Sequence, residues 1–180
     1  MGAINLLVDM TSESPVLPVR SAVTICGGGE IQKNRHTTAL YEYDATYEAM
    51  RAIVEALFFD PAIPPTRRTC NGAMTPASRP VHGNHWRQRV FRRPGLDAPS
   101  TPSSKRAYER IDVPVLVVEG AGDKLLPPGW AAEIAEQITN GRSAVIQNAG
   151  HCPQIEQPDA TAELLLAFFA EQTQNRTDTA

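Results

Sequence analysis

VPVLVVEGAGDKLLPP (113–128) and SAVIQNAGHCPQIEQP (143–158) are the two stretches that decide the fold. The first begins with the continuous apolar run VPVLVVEG, which is typical of a parallel strand that is covered on both faces. The second begins with SAVIQN, which predicts another strand. Each then enters a glycine-containing turn, which carries Asp123 in the first stretch and His151 in the second. Functional sites of open parallel sheets form at the carboxyl ends of the strands, so we expect these two side chains to meet there.

The segments around the two turns predict helices. GWAAEIAEQITN (129–140) has helical spacing of its apolar residues, with Gly141 placed as its C-cap. Pro158 opens a final helix. Its predicted core face consists of Leu164, Leu165, Leu166, Phe168 and Phe169. We expect the polar tail after Gln172 to be frayed. The order strand, helix, strand, helix predicts an α/β fold with right-handed parallel crossovers.

The first sixty residues repeat this alternation. VRSAVTIC (19–26) is a short β-branched run that predicts a buried strand, and three glycines after Cys26 allow a sharp exit from it. From Asp44 the apolar period changes to three and four residues, which predicts an amphipathic helix with Asp44 as its N-cap. Prolines from Pro61 onward end that helix.

The middle of the chain is irregular and basic. Residues 61–110 contain eight prolines and nine arginines, and they hold ten Lys or Arg against two Asp or Glu. Such a segment is typical of a lid, a binding loop or a solvated insert, and it also offers an anion-binding surface. His82 and His85 have ligand-like spacing, but no acidic or cysteine partner lies nearby in sequence, so we expect no metal there.

The composition of the chain indicates a soluble globular domain. The 180 residues are 42% hydrophobic with a net charge of −3, which is ordinary for a soluble domain and argues against a general nucleic-acid binder. Three cysteines without regular spacing predict no disulfide framework and favour a reducing cytoplasm. The sequence shows no basic N-terminal signal and no apolar run of membrane-spanning length.

Asp123 and His151 have the chemistry of a catalytic pair. A carboxylate beside an imidazole holds the ring in one tautomer and stabilises the imidazolium that forms during acyl transfer. Taken singly, Asp123 also fits an Asx-type turn and His151 a hydrogen-bonded core histidine. Their common position after successive strands, 28 residues apart, favours the catalytic interpretation.

These stretches resemble the acid strand and histidine loop of the α/β-hydrolase superfamily, and the chain is most similar to meta-cleavage product hydrolases. VRSAVTICGGG and YDATYEAMRAIVEALFFDPAIP (43–64) resemble the strand after that family's nucleophile helix and its first cap helix. The resemblance implies a partial α/β-hydrolase fold with its last three parallel strands, flanking helices and a cap insertion. It divides the chain into 1–29, a cap region with a flexible basic insert at 30–110, a C-terminal core at 111–172 and the tail 173–180.

The same resemblance implies that the nucleophile is missing. The family's elbow reads G-x-S-M-G and is followed by a helix, as Met1-Gly2-Ala3 is here. Met1 then matches the residue after the serine, whose backbone N–H is an oxyanion donor. No serine of this chain has glycines on both sides at elbow spacing. Cys26 precedes a glycine, but its place on a different strand favours a buried structural thiol over a nucleophile.

The resemblance also implies a substrate class. The family's cap arginine, which binds a substrate carboxylate, matches Arg68 best and Arg67 next. Cys152 and Ile155 stand where the family has tryptophans, which leaves ester hydrolysis open beside carbon–carbon cleavage. We therefore expect a small-molecule substrate, a carboxylate-bearing ester or a ring-fission product, with no cofactor, nucleic acid or membrane as partner.

Two rival functions remain on the sequence alone. A truncated, inactive half-domain would pair with another chain, or with its own copy, through an exposed edge of the strand at 19–26. A nucleic-acid or anion-binding module would use residues 61–110, where only Trp86 and Phe91 could stack on bases.

Overall fold

The computed structural model describes residues 2–44, 46–60 and 106–177 of the chain. Within them the elements follow the predicted alternation, with two short helices that the sequence did not predict, α2 and α5. In chain order they are α1 (Gly2–Met10), β1 (Ala22–Ile25), α2 (Arg35–Tyr41), α3 (Tyr47–Leu57), β2 (Val115–Gly120), α4 (Trp130–Ala135), β3 (Gly141–Ile146), α5 (Pro153–Glu156) and α6 (Pro158–Thr177). A 3-10 turn, Tyr108–Arg110, precedes β2.

The three strands form one parallel sheet in the order β1-β2-β3. Ala22 lies opposite Val115, and Val115 in turn lies opposite Gly141. All six residues of the central strand β2 are buried, as the continuous apolar run VLVVEG predicts. The predicted partial α/β fold with three parallel strands is therefore confirmed.

The two faces of the sheet support separate apolar clusters, because successive side chains of a strand point to opposite faces. Val115 and Val117 face a cluster built from α1, the 3-10 turn and α4, which includes Leu7, Tyr108 and Trp130. Leu116 and Val118 face the other cluster, in which Phe168 of α6 is buried. Helices thus cover both faces of β2, which explains its complete burial.

The helices α2 and α3 pack on each other around a small core of Tyr43, Met50, Ile53 and Val54. The N-cap of α3 is Thr46 rather than the predicted Asp44. Thr46 accepts the Ala49 N–H, while the Asp44 carboxylate accepts the backbone N–H of Thr46 two residues on. Asp44 therefore makes a local Asx-type turn that positions the true cap.

The C-terminal elements differ from prediction at their ends. The α-helix α4 stops at Ala135, and Gly141 begins β3 instead of capping the helix. A Cβ at Gly141 would lie 2.2 Å from the Ala135 carbonyl oxygen, so the residue serves a close helix–strand approach. The helix α6 continues to Thr177, into the segment predicted to be a frayed tail.

The predicted core face of α6 is too wide. Phe168 is buried and Leu164 packs against the same cluster, whereas Leu166 is 71% and Phe169 45% exposed. Residues four apart lie on one stripe of a helix, and only that stripe contacts the sheet. None of the described helices, α6 included, is both long and apolar enough to cross a membrane.

Candidate active site

The loop after β2, which we call the acid loop (residues 121–129), presents Asp123. One carboxylate oxygen of Asp123, Oδ1, accepts the Leu125 backbone N–H at 2.8 Å, and this is the Asx-type turn considered from sequence. The other oxygen, Oδ2, lies 2.8 Å from Nδ1 of His151. The turn and the pairing therefore coexist, since each uses a different oxygen.

The far end of the acid loop is held by a buried carboxylate. Glu119, in β2, is 6% exposed and accepts the backbone N–H groups of Gly129 and Ala131, each at 3.1 Å. These donors lie at the start of α4, where free N–H groups and the helix dipole favour a negative charge. Glu119 thus closes the loop between its own strand and the helix that follows.

The loop after β3, which we call the histidine loop (residues 147–152), presents His151. Its backbone reverses at Asn148, which has a positive φ of 54°, a conformation that asparagine tolerates. The His151 backbone N–H donates to the Leu57 carbonyl at the end of α3, at 2.8 Å. The Gly150 N–H donates to Glu156 Oε2 at 2.6 Å.

The two loops also touch backbone to backbone. The Gly122 N–H donates to the Ala149 carbonyl at 2.8 Å. A Cβ added at Gly120 would lie only 2.0 Å from the Gly150 carbonyl oxygen. Only glycine at position 120 permits this approach, which sets the distance between the loops that carry Asp123 and His151.

The Asp123–His151 pair has the geometry that acid–base catalysis requires. The Asp123 side chain is 4% exposed and that of His151 is 25% exposed, so the carboxylate is shielded while the ring reaches the surface. With Nδ1 held by the carboxylate, Nε2 is the ring nitrogen that is left for proton transfer. The arrangement can orient a histidine general base and stabilise its protonated form.

Cys26, at the end of β1, lies beside this pair. Its thiol donates to the Gly150 carbonyl at a sulfur–oxygen distance of 3.7 Å. Burial, and secondarily the nearby Asp123 carboxylate, raise the pKa of Cys26 to about 12. Nucleophilic cysteines need a lowered pKa. The position supports the predicted structural thiol, although sequence alone did not indicate that it borders the catalytic pair.

The sulfur, carboxylate and imidazole donors of Cys26, Asp123 and His151 lie within 4.8 Å of one another, a set of donor types that zinc accepts. The spacing of the pair itself does not suit one ion. Two ligands with bonds of about 2.0 Å in a tetrahedral site are ~3.3 Å apart, whereas Nδ1 and Oδ2 are 2.8 Å apart. This distance is that of a hydrogen bond.

A groove of about 460 Å³ lies elsewhere in the described part of the chain. Its lining includes Lys33, Tyr108 and Trp130 but neither member of the catalytic pair. The groove therefore lies apart from the Asp123–His151 pair.

Several residues singled out from sequence lie outside the described residues, and their predicted roles stay predictions. They are Met1, Arg67, Arg68, His82, His85, Trp86 and Phe91. The structure also shows two residues that the sequence did not indicate, Lys124 and Glu156. Their side chains bind backbone groups around the site. Their only signal was a charged residue close to Asp123 and His151 in sequence.

The profile of the Alpha/beta hydrolase family matches residues 1–164. This chain belongs to that family. Asp123 precedes His151, in the chain order that this family uses for its acid and its histidine. The resemblance drawn from the two C-terminal stretches is therefore confirmed at the level of family and fold.

Relatives and solved structures support the fold. BpoC of Mycobacterium tuberculosis, named as a candidate non-heme bromoperoxidase, is 39% identical over 75 residues, which is 42% of this chain and 29% of BpoC. A pimeloyl-[acyl-carrier protein] methyl ester esterase of Neisseria meningitidis is 32% identical over 73 residues, covering 41% of this chain and 28% of the esterase. The structure of CumD, a meta-cleavage product hydrolase from Pseudomonas fluorescens, superposes with a TM-score of 0.75 at 19% identity, covering 94% of this chain and 61% of CumD.

The chain thus spans less than two thirds of the length of these proteins. At 19% identity the likeness to CumD shows the fold alone.

Proposed function

We propose that this chain contributes the acid and the histidine of a serine-type hydrolase, and that the serine lies outside its 180 residues. The pairing of His151 Nδ1 with Asp123 Oδ2 at 2.8 Å is the observation that carries the proposal. In the proposed reaction the Nε2 atom of His151 takes the proton from the serine hydroxyl as the serine attacks the substrate. His151 then returns the proton to the leaving group, while Asp123 stabilises the imidazolium in between.

The proposed substrate is a small carboxylate-bearing ester or a ring-fission product cleaved at a carbon–carbon bond. Ester hydrolysis is supported by the Neisseria relative, whose name describes it as a methyl ester esterase. The exposed Ile155 and the half-buried Cys152 supply no bulky aromatic surface beside His151. The proposed carboxylate partner is Arg68, whose charge and fork of donors suit bidentate binding.

The experiment measures the hydrolysis of two matched esters. The enzyme is an N-terminally extended form of the protein, which adds the residues encoded upstream of Met1. A p-nitrophenyl ester with a free carboxylate on its acyl chain is expected to give a higher kcat/KM than its neutral methyl-capped analogue. Arg68→Met is expected to remove that preference, while His151→Ala is expected to abolish turnover of both esters. Turnover that survives in His151→Ala would contradict the proposed mechanism.

A second candidate is a half-domain that pairs with another chain through β1. In the described sheet β1 bonds only to β2, so its other edge has backbone groups available for a further strand. Size-exclusion chromatography with light scattering tests this candidate. A monomer of 19.6 kDa at micromolar concentration would count against self-pairing. A dimer that Val23→Pro dissociates would support it, because the Val23 N–H faces the outer edge of β1 while those of Ala22 and Cys26 bond to β2.

A further inference from the structure

The chain segment that ends α3, residues 55–60, lies against both catalytic loops. Its Leu57 carbonyl accepts the His151 N–H at 2.8 Å. On the acid loop, a Cβ added at Gly122 would lie 2.2 Å from Cδ2 of Phe59, so the Phe59 ring lies directly against that glycine. One short segment from the α2–α3 unit therefore contacts the residue before Asp123 and the backbone of His151 itself.

Lys124 binds this segment from the acid loop. Its Nζ donates to the Glu55 carbonyl at 2.8 Å and to the Phe58 carbonyl at 2.5 Å. The last carbonyls of a helix lack intrahelical partners and carry the negative end of its dipole, so an ammonium group is well matched to them. Lys124 directly follows Asp123, which means that the bond from the acid loop to α3 begins next to the catalytic carboxylate.

Glu156 binds the same segment from the histidine side. Its Oε1 accepts the backbone N–H groups of Phe59 at 2.7 Å and Asp60 at 3.0 Å. Its Oε2 accepts the Gly150 N–H at 2.6 Å. The carboxylate therefore joins the residue before His151 to the two residues that follow Phe58, the C-cap of α3.

Only a carboxylate satisfies all three donors at once. Both oxygens of Glu156 act as acceptors, and an ionised carboxylate has about four acceptor positions and no hydrogen. Glutamine has the same shape but carries one oxygen and one NH₂ group. On one side its NH₂ group would therefore face a backbone N–H, and no hydrogen bond could form there. Glu156→Gln thus breaks one side of this bridge while changing almost no volume.

We propose that Glu156 and Lys124 are positioning residues. Through them, the geometry of the Asp123–His151 pair depends on the position of residues 55–60 against the two loops. The inference deepens the proposed function and rests on it, because it assigns regulators of the same catalytic pair. The bond from the His151 N–H to Leu57 supplies the direct link. Glu156 and Lys124 hold that carbonyl in place from its two sides.

The test is proton NMR of the 180-residue chain, which needs no turnover. The proton between His151 Nδ1 and Asp123 gives a resonance far downfield of the amides, and its exchange rate with water reports how often the pair opens. Glu156→Gln is expected to speed that exchange by about tenfold, since one or two hydrogen bonds that hold the loop are lost. Lys124→Met is expected to act in the same direction, and Lys124→Arg, which keeps donors, to restore most of the slow exchange.

Matched controls separate positioning from general destabilisation. Glu163→Gln and Lys33→Met make the same chemical changes at exposed sites away from the segment and are expected to leave the exchange rate unchanged. Urea unfolding of every variant gives global stability, and Glu156→Asp replaces Glu156→Gln if the glutamine variant does not fold. Normal exchange of the bridging proton in folded variants at both Glu156 and Lys124 would overturn the inference. The proton exchange rate can be measured even if the protein hydrolyses no ester. The NMR experiment and the hydrolase assay therefore test the two proposals independently.

Discussion

The acid loop and the histidine loop present one residue each to the same hydrogen bond, yet they are held in different ways. The acid loop is closed within its own strand–loop–helix unit, from Glu119 to the start of α4 and from Asp123 to Leu125. The side chain of Lys124 then ties this loop to residues 55–60. In the histidine loop the backbone of the functional residue itself is bound from far away in sequence, by the Leu57 carbonyl. Glu156 holds the neighbouring Gly150 and joins it to Phe59 and Asp60.

This difference implies that the positions of Asp123 and His151 are determined by different parts of the chain. Contacts close in sequence form without waiting for the rest of the chain, so the position of Asp123 follows from the β2–α4 unit. The position of His151 depends in addition on where the end of α3 lies, because Leu57 accepts the His151 backbone N–H. We therefore expect a displacement of α3 to move the imidazole more than the carboxylate.

The largest expected effect comes from breaking the bond between the two loops. In an N-terminally extended form that hydrolyses esters, Asp123→Asn is expected to lower kcat by ~10⁴-fold, because an amide favours the wrong tautomer of His151. Steady-state kinetics on a p-nitrophenyl ester measure this. A loss below tenfold would show that Asp123 forms only the turn to Leu125.

The next effect tests the backbone contact between the loops. Gly120→Ala places a Cβ 2.0 Å from the Gly150 carbonyl oxygen, and neither backbone is free to move away, so we expect a loss of ~3 kcal/mol in the free energy of unfolding. Gly122→Ala is the matched control, since its new Cβ meets the movable Phe59 ring, and we expect ~1 kcal/mol. Equal losses in urea titrations would contradict the close approach at Gly120.

A smaller effect is expected from the local closure of the acid loop. Glu119→Gln leaves one side-chain oxygen for the two buried donors, the Gly129 and Ala131 N–H groups. We expect this change to lower the free energy of unfolding by ~2 kcal/mol. Glu133→Gln, on the exposed side of α4, is expected to change it by less than ~0.5 kcal/mol. Urea titrations of both variants measure the difference, and equal losses would show that Glu119 does not stabilise the closed acid loop.

The smallest effect is a dependence of stability on alkaline pH. The pKa of Cys26 is raised by burial to about 12, so the folded chain holds this proton more tightly than the unfolded chain does. Its contribution is complete below pH 9 and is lost as pH rises from 9 towards 12. The pKa of Cys152 is also raised by burial, to about 11, which acts in the same window.

Urea midpoints at pH 8 and pH 10 measure this dependence. The wild-type chain is expected to lose more stability over that interval than Cys26→Ala does. Identical pH dependence of the two proteins would show that the thiol is not buried against the catalytic pair.

The sequence predicted the parallel strands and the contact between Asp123 and His151, because both depend on local patterns. The run VLVVEG needs only its own apolarity to be assigned to a buried strand, and Asp123 and His151 follow their strands directly. What the sequence could not predict depends on tertiary contacts. Glu156 binds Phe59 across 97 positions, and Leu166 is exposed because the sheet covers only one stripe of α6. Neither follows from spacing.

The central claim, that this chain holds two members of a triad and takes its serine from outside, is tested most directly with a fluorophosphonate probe. We expect no labelling of the 180-residue chain, and labelling of the N-terminally extended form at a serine in a G-x-S-x-G turn, which His151→Ala abolishes. Peptide mapping that finds the probe on a serine of this chain, such as Ser21 or Ser143, would contradict the account.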